Sequence, residues 1–267
     1  MTAFTSADPR LAQLDGFRIE IDAENQRGDI ILARPPMNVI SMDQRDQLRA
    51  AFEALDADDR VRVIVLRGEG ENFSSGGYIK GFMEASPEHV AHLADNVAAP
   101  WRASKPVIAA NRGYTFGVGF ELSLACDFRI AAESTLYALP EQKLGQIPGS
   151  GGSARLQAIV GIGRTKDVVM RSRRIAAKQA YEWGIATEIV PDDKLEEATA
   201  ALVAELRQFS PLAQRTAKKL LNDSENATVA TGIELEGHAY SRLRQSHDFA
   251  EGVTAFHEKR KPSFNGS

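Results

Sequence analysis

Two glutamates give this chain its best prospect for proton-transfer chemistry. Glu121 follows the turn Gly117-Val118-Gly119-Phe120, and Glu141 follows Leu139-Pro140, 20 residues further on. Between them the residues read as a short apolar helix over 120–125 and a strand over 127–132, so the chain can return both carboxyls to one place. The neighbouring side chains are mostly Leu, Phe, Tyr and Pro. Burial among such groups penalises the charged form and lifts a carboxyl pKa toward the working pH, which suits a general acid or base. The glycines before Glu121 let the backbone approach a ligand closely. Amides at a helix start have no partner inside the helix, so they suit an oxyanion. A tight strand-to-helix turn asks for the same glycines, so Gly-x-Gly alone does not decide between binding and turning.

A second cluster, Pro148-Gly149-Ser150-Gly151-Gly152, opens another helix. Ser150 is not in a Gly-x-Ser-x-Gly nucleophile elbow, because Pro148 stands where the first glycine belongs. Ser150 and Ser153 read instead as turn and N-cap residues. A dinucleotide-binding fingerprint also fails. After the strand 61–66, Gly68-x-Gly70 needs a third glycine at position 73, where Phe73 stands. His89 and His92 read as surface residues of a helix rather than metal ligands.

The elements that must position these groups follow from periodicity and punctuation. Strands are expected over 17–22 and 29–33, joined by a hairpin turn at Asn25-Gln26-Arg27-Gly28. Ser41-Met42-Asp43-Gln44 is a capping box, and the helix after it places Leu48, Ala51, Phe52 and Leu55 on one face. Val61–Leu66 is β-branched enough for a buried strand. A helix over 88–101, broken by Lys105-Pro106, and a strand over 107–111 complete a strand–helix alternation that predicts right-handed βαβ units. Beyond Leu156 the pattern is mainly helical: 175–183, 195–208, 211–221, 228–243 and 249–259. Asp248-x-x-Glu251 reads as a second capping box. The composition shift near residue 200 divides the chain into a core, 1–199, and a C-terminal helical region, 200–267.

Composition removes several function classes. The chain has 267 residues, 43% hydrophobic and 25% charged, with net charge −4. That balance leaves no electrostatic footprint for nucleic acid or an anionic membrane. No run approaches the ~18 apolar residues of a membrane span, and MTAFTSADPR lacks a signal-peptide core, so a cytoplasmic protein is expected. The one cysteine, Cys126, lies in an apolar run and reads as a buried, inert thiol.

Taken together, several motifs resemble the crotonase superfamily, the enoyl-CoA hydratase/isomerase fold. They are Arg34-Pro-x-x-Asn38, Phe73-Ser-Ser-Gly-Gly77-Tyr-Ile-Lys80, Asn111 through Glu121-Leu, Ala125-Cys-Asp127, Pro140-Glu141, Leu144-Gly-x-Ile-Pro-Gly-x-Gly-Gly152, Ala180-x-x-x-Gly184 and the tail Glu251 through Lys261-Pro. The resemblance runs essentially end to end. It implies an α/β fold with a ββα spiral core and a helical C-terminal trimerisation region. It implies an acyl-CoA substrate, no separate cofactor or metal, and a homotrimer or a homohexamer built as a dimer of trimers. The oxyanion hole would be formed by the amides of Gly77 and Val118. Glu141 would protonate Cα and Glu121 would activate the water that attacks Cβ. Arg34, Tyr78, Ile79, Lys80, Phe256 and Lys259 fall at positions that contact substrate or CoA. The implied reaction is hydration of a short 2-enoyl-CoA. One branch would take methylthioacryloyl-CoA, releasing methanethiol and cleaving the thioester to acetaldehyde, CO2 and CoA. The alternatives are a general short-chain hydratase, or a CoA-thioester hydrolase or isomerase on the same scaffold. The chain departs from the family pattern at Gly77-Tyr78, where Ala-Asp is usual, at Val118, which replaces a glycine, and at Phe120, where a small residue is common. Tyr78 and Phe120 are therefore expected to reshape the substrate pocket.

Overall fold

Apolar β-branched runs build the centre of the molecule. The computed structural model describes residues 2–4, 7–83, 86–91 and 93–267. It opens with strands β1 (Thr2–Ala3), β2 (Phe17–Asp22) and β3 (Arg27–Leu32), then helix α1 (Met42–Ala57) and strand β4 (Val63–Gly68). Short helices α2 (Pro87–Ala91), α3 (Leu93–Val97) and α4 (Ala99–Arg102) lead to β5 (Val107–Asn111) and β6 (Tyr114–Phe116). Then come α5 (Val118–Ala125), β7 (Phe128–Ala132), β8 (Leu136–Ala138), α6 (Gly152–Arg171), β9 (Ile175–Ala176), α7 (Ala177–Glu182) and β10 (Glu188–Val190). Four helices follow: α8 (Leu195–Leu206), α9 (Pro211–Ser224), α10 (Val229–Leu243) and α11 (His247–Glu258).

The main sheet runs β1-β2-β3-β4-β5-β7-β10, antiparallel from β1 to β3 and parallel from β3 onward. Its parallel strands are covered on both faces, which is why Val63–Leu66 and Val107–Ala110 are apolar without alternation. In the second sheet, β6-β8-β9, β6 follows β5 and β8 follows β7 along the chain. The sequences β5-β6-α5 and β7-β8-α6 are two copies of the expected ββα repeat, so the fold is the mixed α/β architecture that the motifs imply.

Several boundaries move, each for a local reason. The hairpin turn occupies 23–26, with Gln26 at φ +49°, and β3 starts at Arg27 rather than Asp29. Arg27 and Gly28 belong to the strand because they pair with Asp22 and Ile21 of β2 and with Val63 and Ile64 of β4. A Cβ on Gly28 would stand 2.9 Å from Leu55, so that strand passes directly under α1. The helix expected over 88–101 is three short segments. His92 and the side chain of His89 lie outside the described residues. The helix expected from Ile175 starts at Ala177, because Ile175 and Ala176 pair with Tyr137 and Leu136. The Ser41 capping box is present, with Gln44 completing it. Asp248 is not a cap. Ser246 caps α11, while the buried Asp248 accepts from Ser210 Oγ at 2.6 Å and from the amides of Asn265 and Gly266. The cap of α6 is Gly151 in the left-handed region, not a serine. The line at 199/200 falls inside α8, whose Leu195, Leu202, Val203 and Leu206 pack on Val63, Val65, Ile108 and Ile130 of the main sheet.

Candidate active site

Helix α5 is buried along its whole length and starts at Gly117, whose φ of +50° and ψ of −127° make the sharp exit from β6. The helix places Glu121 in its first turn, 3% exposed. The Glu121 Oε1 accepts from the amides of Ser150 at 2.8 Å and Gly152 at 3.1 Å. These amides belong to the Pro-Gly-Ser-Gly-Gly loop, so its role is to hold this carboxyl. A Cβ on Gly152 would stand 2.9 Å from Glu121 Cγ, which explains the glycine. Burial pushes the Glu121 pKa up, opposed by the two amides and by the charges of Arg45 and Arg155.

Glu141 enters from β8. Leu139-Pro140 ends the strand, and a 3-10 turn over Glu141–Leu144 turns its carboxyl back toward Gly117. Its Oε1 is 3.1 Å from the point where a Cβ on Gly117 would stand. Its Oε2 is enclosed and has no hydrogen-bond partner among the described residues. Burial lifts its pKa to about 7, with the nearby Glu121 charge adding to the rise. The Glu121 charge acts on Glu141, so the two carboxyls lie near one another beside the Gly117 turn.

The backbone beside them carries two free donors. Ile40 donates to Gly76 O and accepts from Tyr78 N, both at 2.9 Å, forming a parallel bridge to Gly77. In that pattern the amide of Gly77 itself points the other way. On that side runs the backbone of β6, bridged in parallel at Ser74 and Thr115. Beyond β6, the Cα of Gly76 lies 3.7 Å from the point where a Cβ on Gly117 would stand, so Gly77 and Val118 each adjoin this contact. Val118 is the first residue of α5, so its amide has no acceptor within the helix. Neither amide donates to a backbone acceptor among the described residues.

The remaining expected contacts separate. Tyr78, Ile79 and Lys80 follow Gly77 directly and are exposed, at the rim of the site. Arg34 is tied into the fold: its guanidinium bonds Asp15, Val39 O at 3.0 Å and Gln44 at 3.3 Å. Phe256 and Lys259 lie at the end of α11. Phe256 is 81% exposed and borders an apolar groove of about 500 Å³ with Tyr240, Phe249, Val253 and Phe264. Phe120 does not line the cleft; it is fully buried against Tyr137, ring centroids 4.9 Å apart. Cys126 is buried, with its thiol pushed up to about 12 by burial, so it is no nucleophile at neutral pH.

Sequence reasoning missed Arg45. This α1 residue is 5% exposed, and its charge acts on both Glu121 and Glu141. A signal existed: Arg45 precedes Leu48, Phe52 and Leu55 on the inward stripe of an amphipathic helix, where a cation is out of place.

Comparison with known proteins accords with this geometry. A family model described as enoyl-CoA hydratase/isomerase matches residues 23–267. The chain is 35% identical over 249 residues to a carnitinyl-CoA dehydratase of Salmonella arizonae, covering 89% of this chain and 94% of that one. It is also 35% identical over 249 residues to a probable enoyl-CoA hydratase of Rhizobium meliloti, covering 91% and 96%. The crystal structure of an enoyl-CoA hydratase from Bacillus anthracis superposes with a TM-score of 0.88 at 34% identity, covering 95% of this chain and all of that one.

Proposed function

The chain belongs to the enoyl-CoA hydratase/isomerase family, and on that premise we propose that it adds water across the 2,3 double bond of a short 2-enoyl-CoA. The observation that carries this reading is the approach of the buried Glu121 carboxyl and the half-buried Glu141 carboxyl, the latter with an enclosed oxygen that has no partner among the described residues. A hydration needs both a base for water and an acid for Cα, and the site offers one carboxyl for each task.

The steps follow from the donors and acceptors present. The amides of Gly77 and Val118 receive the thioester oxygen. Electron density moves there as water attacks Cβ, and fixed donors stabilise the enolate without reorganising. Glu121 takes a proton from the attacking water. Burial raises its pKa and so strengthens it as a base, while the two amides on Oε1 and the charges of Arg45 and Arg155 oppose that rise. Glu141, near half-protonated at neutral pH, delivers a proton to Cα as the enolate collapses. One proton leaves the water and one reaches carbon, so exchange with solvent resets the pair. No cofactor enters these steps; CoA is part of the substrate.

The test is hydration of crotonyl-CoA by the wild type and by Glu121→Ala and Glu141→Ala. Each variant is expected to lose about 10²–10⁴ in kcat, the range for a missing acid or base. Unchanged hydration in both would remove the glutamates from the mechanism. Methylthioacryloyl-CoA is the narrower substrate that the sequence resemblance suggests, and it enters the same assay. Methanethiol and free CoA among its products would place the enzyme in that branch. Free CoA from crotonyl-CoA, or a shifted double bond, would indicate a hydrolase or isomerase instead.

A further inference from the structure

Arg45 has no task in those steps, yet its setting is unusual for a guanidinium. It is almost wholly buried, and its Nε is enclosed without an acceptor among the described residues. It feels the charges of Glu121 and Glu141 without a hydrogen bond to either. Glu121 Oε1 is already occupied by the amides of Ser150 and Gly152. The guanidinium carbon stands 5.9 Å from the ring centroid of Phe82. Its Nη2 is 3.1 Å from the point where a Cβ on Gly77 would lie, and Phe82 Cζ is 2.5 Å from the same point. The absence of a side chain at 77 is what lets this cation stand beside the amide that receives the thioester.

Burying an unpaired guanidinium is costly, and the cost is offset when an anion meets its planar fork. A carboxylate fits that fork with two parallel hydrogen bonds. Because Arg45 lies next to Gly77, an acyl group bound at that amide needs only a few carbons to reach it. We propose that Arg45 receives an anionic group of the substrate, so that the preferred substrates are short 2-enoyl-CoA thioesters bearing a carboxylate beyond Cβ. The proposal rests on the hydratase reading for the double bond, but the binding preference stands apart from turnover.

Calorimetric titration of the full-length protein with butyryl-CoA and glutaryl-CoA separates the two. These inert thioesters differ by one carboxylate-bearing carbon. Glutaryl-CoA is expected to bind at least about tenfold tighter to the wild type, with the preference abolished in Arg45→Met and partly kept in Arg45→Lys. In turnover, the ratio of kcat/KM for glutaconyl-CoA to that for crotonyl-CoA is expected to fall about 100-fold in Arg45→Met. Equal binding of both thioesters by the wild type overturns the proposal. So does an unchanged kcat/KM ratio in Arg45→Met, with both substrates slowed together and the pH profile displaced; Arg45 would then act only on the glutamates. If the wild type hydrates neither enoyl thioester, the hydratase reading fails, and the binding comparison still decides the role of Arg45. If Arg45→Met does not fold, the wild-type comparison and Arg45→Lys carry the decision.

Discussion

Glu141 shows how one residue can serve function at the expense of stability. In the unfolded chain its carboxyl ionises near its ordinary value of 4.5, and in the fold near about 7. Folding therefore favours the neutral form. The stability this group contributes is complete below pH 4.5 and is lost as pH rises through about 7. Glu141→Gln keeps the neutral shape without the charge. It is expected to raise stability above pH 7 by about 1–2 kcal/mol, a figure reduced for the partial exposure of the side chain. Denaturant unfolding at pH 5 and pH 8 checks this: the gain should be small at the lower pH and several times larger at the higher. The acid role also fixes the sign of the activity profile. Hydration by the wild type should decline as pH rises through about 7, and Glu141→Gln should lack that limb along with most of its kcat. The glutamate pair was legible because spacing and neighbours are one-dimensional facts. Arg45 was not, because its meaning depends on Gly77 and Phe82, which the chain brings to it from more than thirty residues away.

The turn at Gly117 and the loop Gly149–Gly152 are the elements that convert sequence into a site. Gly117→Ala would place a methyl in a left-handed conformation and within 3.1 Å of Glu141 Oε1. It is expected to cost about 1–3 kcal/mol in stability and at least about tenfold in kcat. Thermal unfolding and crotonyl-CoA hydration measure both. By contrast, Ser41→Ala removes the cap of α1 and the hydrogen bond that Ser41 Oγ donates to Asp15, and should cost about 1 kcal/mol, read as a lowered midpoint in denaturant. At this scale the reading of the sequence was uneven. The strands under α1 and the Ser41 cap could be read, since apolar runs and capping boxes act locally. The small sheet β6-β8-β9 could not, because its strands are two or three residues long and exist by pairing across the turn. Asp248 looked like a cap for the same reason: its true partners, Ser210 and the amides at 265–266, lie far off in sequence or beyond the helix.

Across the whole molecule, the helices after the core leave apolar side chains uncovered. Leu221, Val229, Ile233, Tyr240 and Phe256 are all exposed on α9–α11. Of these, Tyr240 and Phe256 border one apolar groove, and grouped exposed apolar surface marks an interaction site. We propose that these helices pack against other copies of the chain in a homotrimer or a pair of trimers. Sedimentation equilibrium is expected to give a mass three or six times the 29.1 kDa chain. Phe256→Glu with Val229→Glu is expected to shift it to the monomer. A monomeric wild type would remove the proposal. Whole-molecule features were the least legible from sequence, since α8 packs on the main sheet and α9 is tied to the core through the Lys218–Asp127 pair at 2.7 Å, contacts that helical periodicity does not reveal.

The central claim is that water adds across the double bond, with oxygen going to Cβ and a proton to Cα. Its most direct test is turnover of a 2-enoyl-CoA in heavy-oxygen water and, separately, in deuterated water, with the position of each label read by mass spectrometry and NMR. The account predicts heavy oxygen at Cβ of an intact thioester and one deuterium at Cα. Heavy oxygen in a free carboxylate, or deuterium at a shifted double bond with no oxygen incorporated, would contradict it.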